Sequence, residues 1–401
     1  MKNEEIKLDS NKIKYFFLLG RNPILSEAEI LSCFEKEGIK WKSHKLKLNA
    51  LLIETDKELN LKKMINSLGG TIAIGKVILF GDKEKTLNQI ENKKIYFGRE
   101  NKLIYSVLNY MDGEENFNSI LEAIENNFKK ENLKSRYKGV SGTIRLQNGK
   151  IVKGSPEKIS QRDMTYFAFS DGKEWNFGFL EESYDSAEAE KRDMKKPYRR
   201  EELAISPRLA RIMINLSQAK EGETLLDAFC GIGVILVEAL AQGVNVIGID
   251  IDNNAIKKTR ANILWLRKNY KINSTDKVIA GDSRKAIIDR FDAMVSEPQL
   301  GELMTKMPNE EKARQVVNQF ENLIISVLNN VKKYIKRGGK IVFSAPLIKT
   351  QKGRIGCNAE KIETSTGLKL YVIKDSCIKF PIKEYRDEQI VGREIYVLNG
   401  D

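Results

Sequence analysis

One histidine, His44, stands in a chain of 401 residues, beside only four cysteines: Cys33, Cys230, Cys357 and Cys377. These lie far apart with no C-x-x-C pair, so a zinc site has too few ligands and no metal is expected. Scattered cysteines read as reduced thiols, which suits a cytoplasmic protein better than a disulfide framework. No run of residues is long and apolar enough to span a bilayer. The opening Met1-Lys2-Asn3-Glu4-Glu5 is charged and lacks the apolar core of a secretory signal. No repeat of fixed period is visible. What is abundant is positive charge, 68 Lys and Arg against 55 Asp and Glu, a net +13. Lys and Arg release counterions from phosphates, so such a balance suits nucleic acid. A lysine-rich composition is also basic without any partner, and charge alone leaves nucleic-acid binding open.

The length predicts two or three domains. Lys14–Leu19 reads as a buried strand, and Ser26 with Glu27 and Glu29 opens a helix with Leu25, Ile30, Leu31 and Phe34 on its apolar face. Strands over Ala50–Glu54 and Ile72–Phe80 and a helix over Leu61–Leu68 complete a small α+β domain, residues 1–98. A second small domain, 99–182, holds a strand at Lys102–Leu108, a helix at Phe117–Lys130, and strands parted by Asn148-Gly149 and Asp171-Gly172 turns. Arg136, Lys138, Arg145, Lys150 and Lys153 gather about these strands with Tyr137 among them. That mixture suits an RNA backbone, and a solvated sheet face explains it as well. The charged stretch 183–204 reads as a linker. From 205 to 401 strands and helices alternate, which predicts a doubly wound α/β domain with a largely parallel sheet. Its helix at Asn309–Lys336 is followed by a strand at Gly339–Ser344.

Asp227-Ala-Phe-Cys-Gly-Ile-Gly233 falls between a strand predicted over Thr224–Phe229 and a helix predicted over Val234–Gln242. Gly231 and Gly233 allow a sharp turn and leave room for a ligand against the backbone, and the helix beyond offers unpaired N–H groups. Asp250 ends the next strand, where a carboxylate accepts the two hydroxyls of a ribose. Dinucleotide enzymes also use glycines and a strand-end acid. Three details favour S-adenosylmethionine. The third glycine of G-x-G-x-x-G is missing, Asp227 precedes the glycines where it can hold a cofactor amino group, and Gly281-Asp282-Ser283 places an acid for adenine. Glu238 reads as a solvated or packing residue.

Residues 227–239 resemble the cofactor loop of the THUMP-containing tRNA (guanine-N2) methyltransferases, the archaeal and eukaryotic group that acts on the guanosine at position 10. Ile205-Ser-Pro-Arg-Leu-Ala-Arg-Ile-Met-Ile-Asn-Leu216 looks like the helix that borders the methionine end of the cofactor in this family, and Tyr15–Glu29 is similar to the family's N-terminal start. The resemblance is strongest over 190–300 and thins over the THUMP-like stretch and the last 100 residues. It implies a Rossmann-like class I methyltransferase domain behind a ferredoxin-like and THUMP-like RNA-binding region. The implied substrate is tRNA, methylated on the exocyclic N2 amine of a guanosine. Implied cofactor contacts are Ser206, Asp227, Phe229, Gly231, Gly233, Asp250, Ile251, Asp282 and Ser283. Some members need a small zinc-binding activator protein, and the sequence leaves that partner open.

The family transfers the methyl group at D-P-P-Y or N-P-P-Y after the fourth strand. The first residue and a backbone carbonyl accept the amine N–H bonds, and the aromatic stacks on the base. Acceptors there draw the amine nitrogen toward a pyramidal form and aim its lone pair, which is positioning and electrostatics rather than covalent catalysis. This chain carries Ser296-Glu297-Pro298-Gln299 instead. Pro298 matches, Ser296 offers one acceptor, Glu297 offers a carbonyl and a carboxylate, and Gln299 stacks more weakly than an aromatic ring. Either Glu297 replaces the missing acid in an active enzyme, or the chain is an inactive RNA-binding relative. A DNA amino-methyltransferase shares the chemistry and is a further alternative. His44 reads as a surface or turn residue and Cys230 as packing, because amine methylation has no covalent step. Arg192, Arg199 and Arg200 read as phosphate contacts or solvated linker.

Overall fold

The structure, a computed structural model, describes residues 13–155, 163–199, 205–302 and 304–400. In chain order the first elements are β1 (Ile13–Leu19), α1 (Pro23–Glu37), β2 (Trp41–Lys47), β3 (Ala50–Thr55), α2 (Leu61–Ser67), β4 (Thr71–Gly81), α3 (Lys83–Asn92), β5 (Lys102–Tyr110), α4 (Glu114–Lys130), β6 (Lys134–Tyr137), β7 (Gly142–Arg145), β8 (Ile151–Ser155), β9 (Asp163–Ser170) and β10 (Trp175–Ser183). Then follow α5 (Ser186–Met194), α6 (Pro207–Leu216), β11 (Thr224–Asp227), α7 (Val234–Ala241), β12 (Asn245–Asp250), α8 (Asn253–Asn269), β13 (Asp276–Ala280), β14 (Ala293–Ser296), α9 (Glu310–Val331), β15 (Lys340–Thr350), β16 (Gly353–Ile355), α10 (Ala359–Thr366), β17 (Lys369–Leu370), β18 (Ile382–Glu384) and β19 (Val391–Asn399). They form two compact units. One takes its described residues from Met1–Pro23, Ile39–Asn66 and Thr71–Tyr184, the other from Ile24–Gly38, Ser67–Gly70 and Asp185–Asp401.

The first unit is built on one eight-stranded sheet in the order β2-β3-β1-β4-β10-β9-β5-β6. Strands from both sides of residue 98 share it. Tyr15–Leu19 and all of Ala50–Thr55 are buried, the continuous apolar run of strands covered on both faces. Phe16 stacks on Phe167 at 4.1 Å between ring centroids. The buried Asn49 amide donates to the Leu19 carbonyl at 3.0 Å and accepts from the Tyr110 hydroxyl at 2.8 Å, so its polarity is satisfied inside the core. The lysine-rich β2 carries no apolar alternation, and a charged strand is tolerated there because it lies at the sheet edge. His44 therefore belongs to a strand and not to a turn. β7 and β8 form a separate two-stranded sheet.

The second unit holds a nine-stranded sheet ordered β13-β12-β11-β14-β15-β19-β17, with β16 on β15 and β18 on β19. β11 to β15 run parallel, and β19 is antiparallel to β15. Its core joins Leu226, Ile247, Ile249 and Met294 of the strands to Phe320, Ile324 and Val327 of α9. Several expectations need correction. The long helix stops at Val331, and the strand after it continues past Ser344 to Thr350 because β19 pairs with it as far as Ile348 and β16 pairs with its last three residues. The linker contains α5, whose Arg192 is buried. Glu238 is buried too, accepting from Arg211 Nε at 2.7 Å and facing Arg192 Nε at 3.5 Å. Two guanidinium groups compensate the cost of burying that carboxylate, so it is neither solvated nor is Arg192 a phosphate contact. Beyond α5, the Asn262 side chain bridges the Tyr198 backbone to the Ile232 carbonyl, which fixes this stretch onto the glycine loop. Arg199 is exposed, and Arg200 lies outside the described residues.

Helix α1, beyond its first residue, sits with this unit and not with the strands that flank it in sequence. The Glu29 carboxylate is fully buried and accepts from Gly69 N at 2.7 Å, Gly70 N at 2.8 Å and Asn215 Nδ2 at 2.7 Å. Arg208 Nε donates back to the Gly69 carbonyl at 2.7 Å. A side chain at Gly69 would put its Cβ 2.2 Å from the Arg208 carbonyl oxygen, so glycine is required for this close approach.

Candidate functional site

β11 ends at Asp227, two residues earlier than its pattern suggests, and Ala228–Gly233 form the turn into α7. Gly231 and Gly233 adopt φ of 53° and 85°, the left-handed region that glycine enters without a Cβ clash. A Cβ on Gly231 would meet nothing, so its backbone faces open space, whereas on Gly233 it would press Thr259 Cγ2 at 2.9 Å. The turn is tied to its neighbours. Cys230 N donates to Ile249 O at 2.9 Å, Gly231 N to Asp250 Oδ2 at 2.7 Å, and Thr259 Oγ1 to Gly231 O at 2.6 Å. Cys230 is buried against Gly248 and its thiol is pushed up by desolvation, which leaves it packing rather than reactive.

Three strand ends meet at Ala228. Ser296 Oγ accepts from Ala228 N at 2.8 Å and hydrogen-bonds the Asp227 carboxylate, while Ser283 Oγ donates to Ala228 O at 2.6 Å. Ser296 is the last residue of β14 and fully buried. Its hydroxyl, expected to meet a substrate amine, is thus consumed by the glycine turn, and Ser296 acts as a tie between β14 and β11. Asp227 is almost wholly buried, and desolvation lifts its carboxyl from 3.8 to about 7. The Phe229 N–H and Ser296 oppose that rise, and the charges of Asp250 and Glu297 add to it.

A cavity of about 530 Å³ opens at the carboxyl ends of these strands. Asp227, Phe229, Gly231, Asp250, Ile251, Asp282 and Ser283 line it on one side, and Glu297, Pro298 and Gln299 complete it. Three expected residues stay out of the lining. Ser206 caps α6 through Leu209 N, Gly233 opens α7, and Ser296 lies beneath. Ile205, from the stretch likened to the family's cofactor-bordering helix, lines it, and Arg284, Leu300 and Leu323 line it without having been foreseen. Arg284 had a local signal, two residues from Asp282, and it holds both carboxylate oxygens, with Nε 2.9 Å from Oδ1 and Nη2 2.7 Å from Oδ2. That fork and the Arg284 N–H hold Asp282 near 2, so it faces the cavity already paired. Glu297 is paired as well, its Oε1 2.6 Å from Arg393 Nε. Burial raises the Glu297 carboxyl and Arg393 opposes the rise.

An adenosyl group with a cationic amino-acid tail fits these residues. Asp250 beside Gly231 offers a carboxylate and a backbone free of Cβ to a ribose. Ile251, 71% exposed at the rim, offers an apolar face to a base. Asp227 offers a carboxyl to an ammonium.

The expected RNA contacts lie in the first unit on two sheets. Arg136 on β6 and Lys138 just after it are exposed at the edge of the large sheet. Arg145 at the end of β7 and Lys150 before β8 are exposed at the small sheet. Lys153 lies in β8, and its side chain is outside the described residues. The Tyr137 ring leans on Tyr105 at 5.5 Å.

The strand order 3-2-1-4-5-7-6 with only strand 7 reversed, the glycine turn after strand 1 and the acid ending strand 2 define a class I methyltransferase domain. Two family models match the chain, one described as an RMKL-like methyltransferase domain over residues 197–346, the other as a DNA methylase over 50–261. A tRNA (guanine(10)-N2)-dimethyltransferase of Methanothermobacter thermautotrophicus is 36% identical over 36% of this chain and 39% of its own length. One from Methanocaldococcus jannaschii is 33% identical over 35% of this chain and 37% of its own, and a probable one from Methanothermococcus thermolithotrophicus is 30% identical over 34% and 79%. The chain belongs to the methyltransferases that both models describe, and within them to the tRNA (guanine(10)-N2)-methyltransferase family. It matches somewhat under two fifths of the length of the first two relatives. A crystal structure of TrmN from Thermus thermophilus aligns over 97% of this chain and 100% of its own, at 12% identity and a TM-score of 0.49.

Proposed function

We propose that this chain transfers a methyl group from S-adenosylmethionine to the exocyclic N2 amine of a guanosine in tRNA. One observation carries the reading: Glu297-Pro298-Gln299 lines the same cavity as Asp227, Gly231 and Asp250, so donor and acceptor share one space. The bound cofactor supplies a methyl group on a sulfonium, already a good leaving group. Asp250 accepts the ribose hydroxyls and Asp227 the amino group. Glu297, taking the place of the family's leading acid, accepts an N–H of the amine and draws its lone pair out of the base. Ser296 shapes the site from beneath. Gln299 lies exposed at the mouth beside the incoming base, which must leave its stack to enter. Residues 1–98 and 99–182 are assigned as ferredoxin-like and THUMP-like RNA-binding regions, with 205–401 as the methyltransferase domain. Arg136, Lys138, Arg145, Lys150 and Lys153 hold the tRNA backbone. The work is done in the cytoplasm, with a small zinc-binding activator as a further partner. Among the described residues no helix is long and apolar enough to cross a membrane.

Nucleoside mass spectrometry of tRNA incubated with the protein and cofactor should yield N2-methylated guanosine. Glu297→Ala should lower the rate about 100-fold, the scale of losing one electrostatic group in a transfer site. Bound cofactor with no modified nucleoside would mark an inactive relative, and methylated duplex DNA would mark the DNA enzyme. Asp250→Ala removes the acceptor of Gly231 N and of Asp252 N, at 2.7 and 2.9 Å, as well as the ribose acceptor. Calorimetry should show cofactor binding weakened about 100-fold, the loss of two charged hydrogen bonds. An unchanged affinity would place the ribose elsewhere.

A further inference from the structure

We infer that Arg393 is the positioning residue of the transfer site, holding one oxygen of Glu297 so that the other faces the substrate amine. This rests on the reading of Glu297 proposed above. The two side chains are 96 positions apart in sequence, and their Nε and Oε1 atoms are 2.6 Å apart. Glu297 is 10% and Arg393 15% exposed, so water screens the pair little. Arg393 stands on β19 opposite Pro346 of β15 and Glu384 of β18. β14 ends at Ser296, level with Phe343 of β15, and the seat for Arg393 exists only because β15 continues three residues further to Pro346. The extension of β15 beyond Ser344 is thus what brings a guanidinium over the residue that follows β14.

A carboxylate buried alone takes up a proton and becomes a donor, which is useless to an amine that itself presents N–H donors. Arg393 opposes that. Among the described residues the charged groups acting on Glu297 are Arg393 from β19 and Asp227 at the end of β11, and of these two Arg393 favours the ionised form. One oxygen is occupied by the guanidinium and the second is left for the substrate. As the nitrogen–carbon bond forms and the sulfur–methyl bond breaks, the nitrogen becomes positive. One of its protons passes to the free oxygen of Glu297 and leaves to water with the product. The arginine resists full proton transfer until the methyl group has moved, because its positive charge 2.6 Å away favours the ionised carboxylate over the protonated one.

The test uses the full chain with tRNA and cofactor, comparing Arg393→Gln, Arg393→Lys, Glu297→Gln and the double variant Arg393→Gln/Glu297→Gln. Arg393→Gln should lower kcat at least tenfold and move the acid limb of its pH profile up by about one unit. The KM for tRNA and the Kd for cofactor should change less than twofold. Arg393→Lys keeps the charge and should restore the acid limb while recovering only part of the rate. The double variant should be no slower than Glu297→Gln, because the arginine acts through the glutamate. In the protein without cofactor, the infrared band of the protonated Glu297 carboxyl should appear at higher pH in Arg393→Gln. An unmoved kcat and acid limb, or single losses that multiply in the double variant, would overturn the inference. If Arg393→Gln fails to fold, Arg393→Lys and the uncharged double pair decide by the same criteria. A wild-type chain that yields no methylated guanosine overturns the proposed function first and this inference with it. A wild type that methylates normally while Arg393→Gln is unaffected overturns this inference alone.

Discussion

Glu29→Ala is expected to destabilise the methyltransferase unit by about 4 kcal/mol, because it strips a buried site of the acceptor serving three donors. Gly69 N, Gly70 N and Asn215 Nδ2 all point at this carboxylate, and all three residues are buried with it. For a unit of this size the thermal midpoint should fall by about 10 °C. Glu29→Gln keeps one acceptor oxygen and should cost less. A loss under about 1 kcal/mol in denaturant titration would mean that α1 is not held by this cluster. The same contacts predict that residues 185–401 expressed alone will unfold more readily than the whole chain, since α1 and Ser67–Gly70 belong to that unit. A truncation meant to remove only the proposed RNA-binding region would therefore also damage the methyltransferase unit. Substituting Arg136, Lys138, Arg145, Lys150 and Lys153 together is the cleaner way to test the proposed tRNA binding.

Asp227→Asn should make the protein more stable at pH 8 by about 4 kcal/mol and leave it little changed at pH 4. The sign follows from burial. The folded-state carboxyl titrates near 7 against 3.8 for the ordinary group. Between those values the folded chain retains a proton that the unfolded chain has released, so stability falls as pH rises through this window and stays low above it. About three units at about 1.4 kcal/mol each set the size. Asparagine cannot ionise, so the slope between pH 4 and 7 should flatten. Thermal midpoints measured across pH would show this, and a variant profile parallel to the wild type would refute it. The proposed role of Asp227 adds a second consequence. A neutral amide attracts a cofactor ammonium less than a carboxylate does, so the stabilised variant should bind cofactor more weakly.

Much of the second unit was legible because the deciding interactions are local. The glycine turn, its place between β11 and α7, and Asp250 at the end of β12 follow from apolar periodicity and from glycines that sit in the left-handed region. The strand Tyr15–Leu19 was legible for the same reason, an uninterrupted apolar run. Edge strand β2 was not, since its lysines and serine show no alternation and only its position at the sheet edge explains it.

The roles of single polar side chains escaped wherever the partner is distant in sequence. Glu238 meets arginines from α5 and α6, Glu29 meets an asparagine 186 positions away, and Ser296 spends its hydroxyl on a backbone N–H 68 positions earlier. A carboxylate or hydroxyl looks the same in sequence whether it faces water, substrate or a buried partner, and its burial and its neighbours set its charge and its use. The sequence by itself determined the cofactor turn and the class of domain around it, because local spacing and backbone conformation specify both. Only the tertiary structure decided which residues of Ser296-Glu297-Pro298-Gln299 face the cavity and what holds Glu297 there, because the hold depends on how far β15 carries β19, and with it Arg393, past the end of β14.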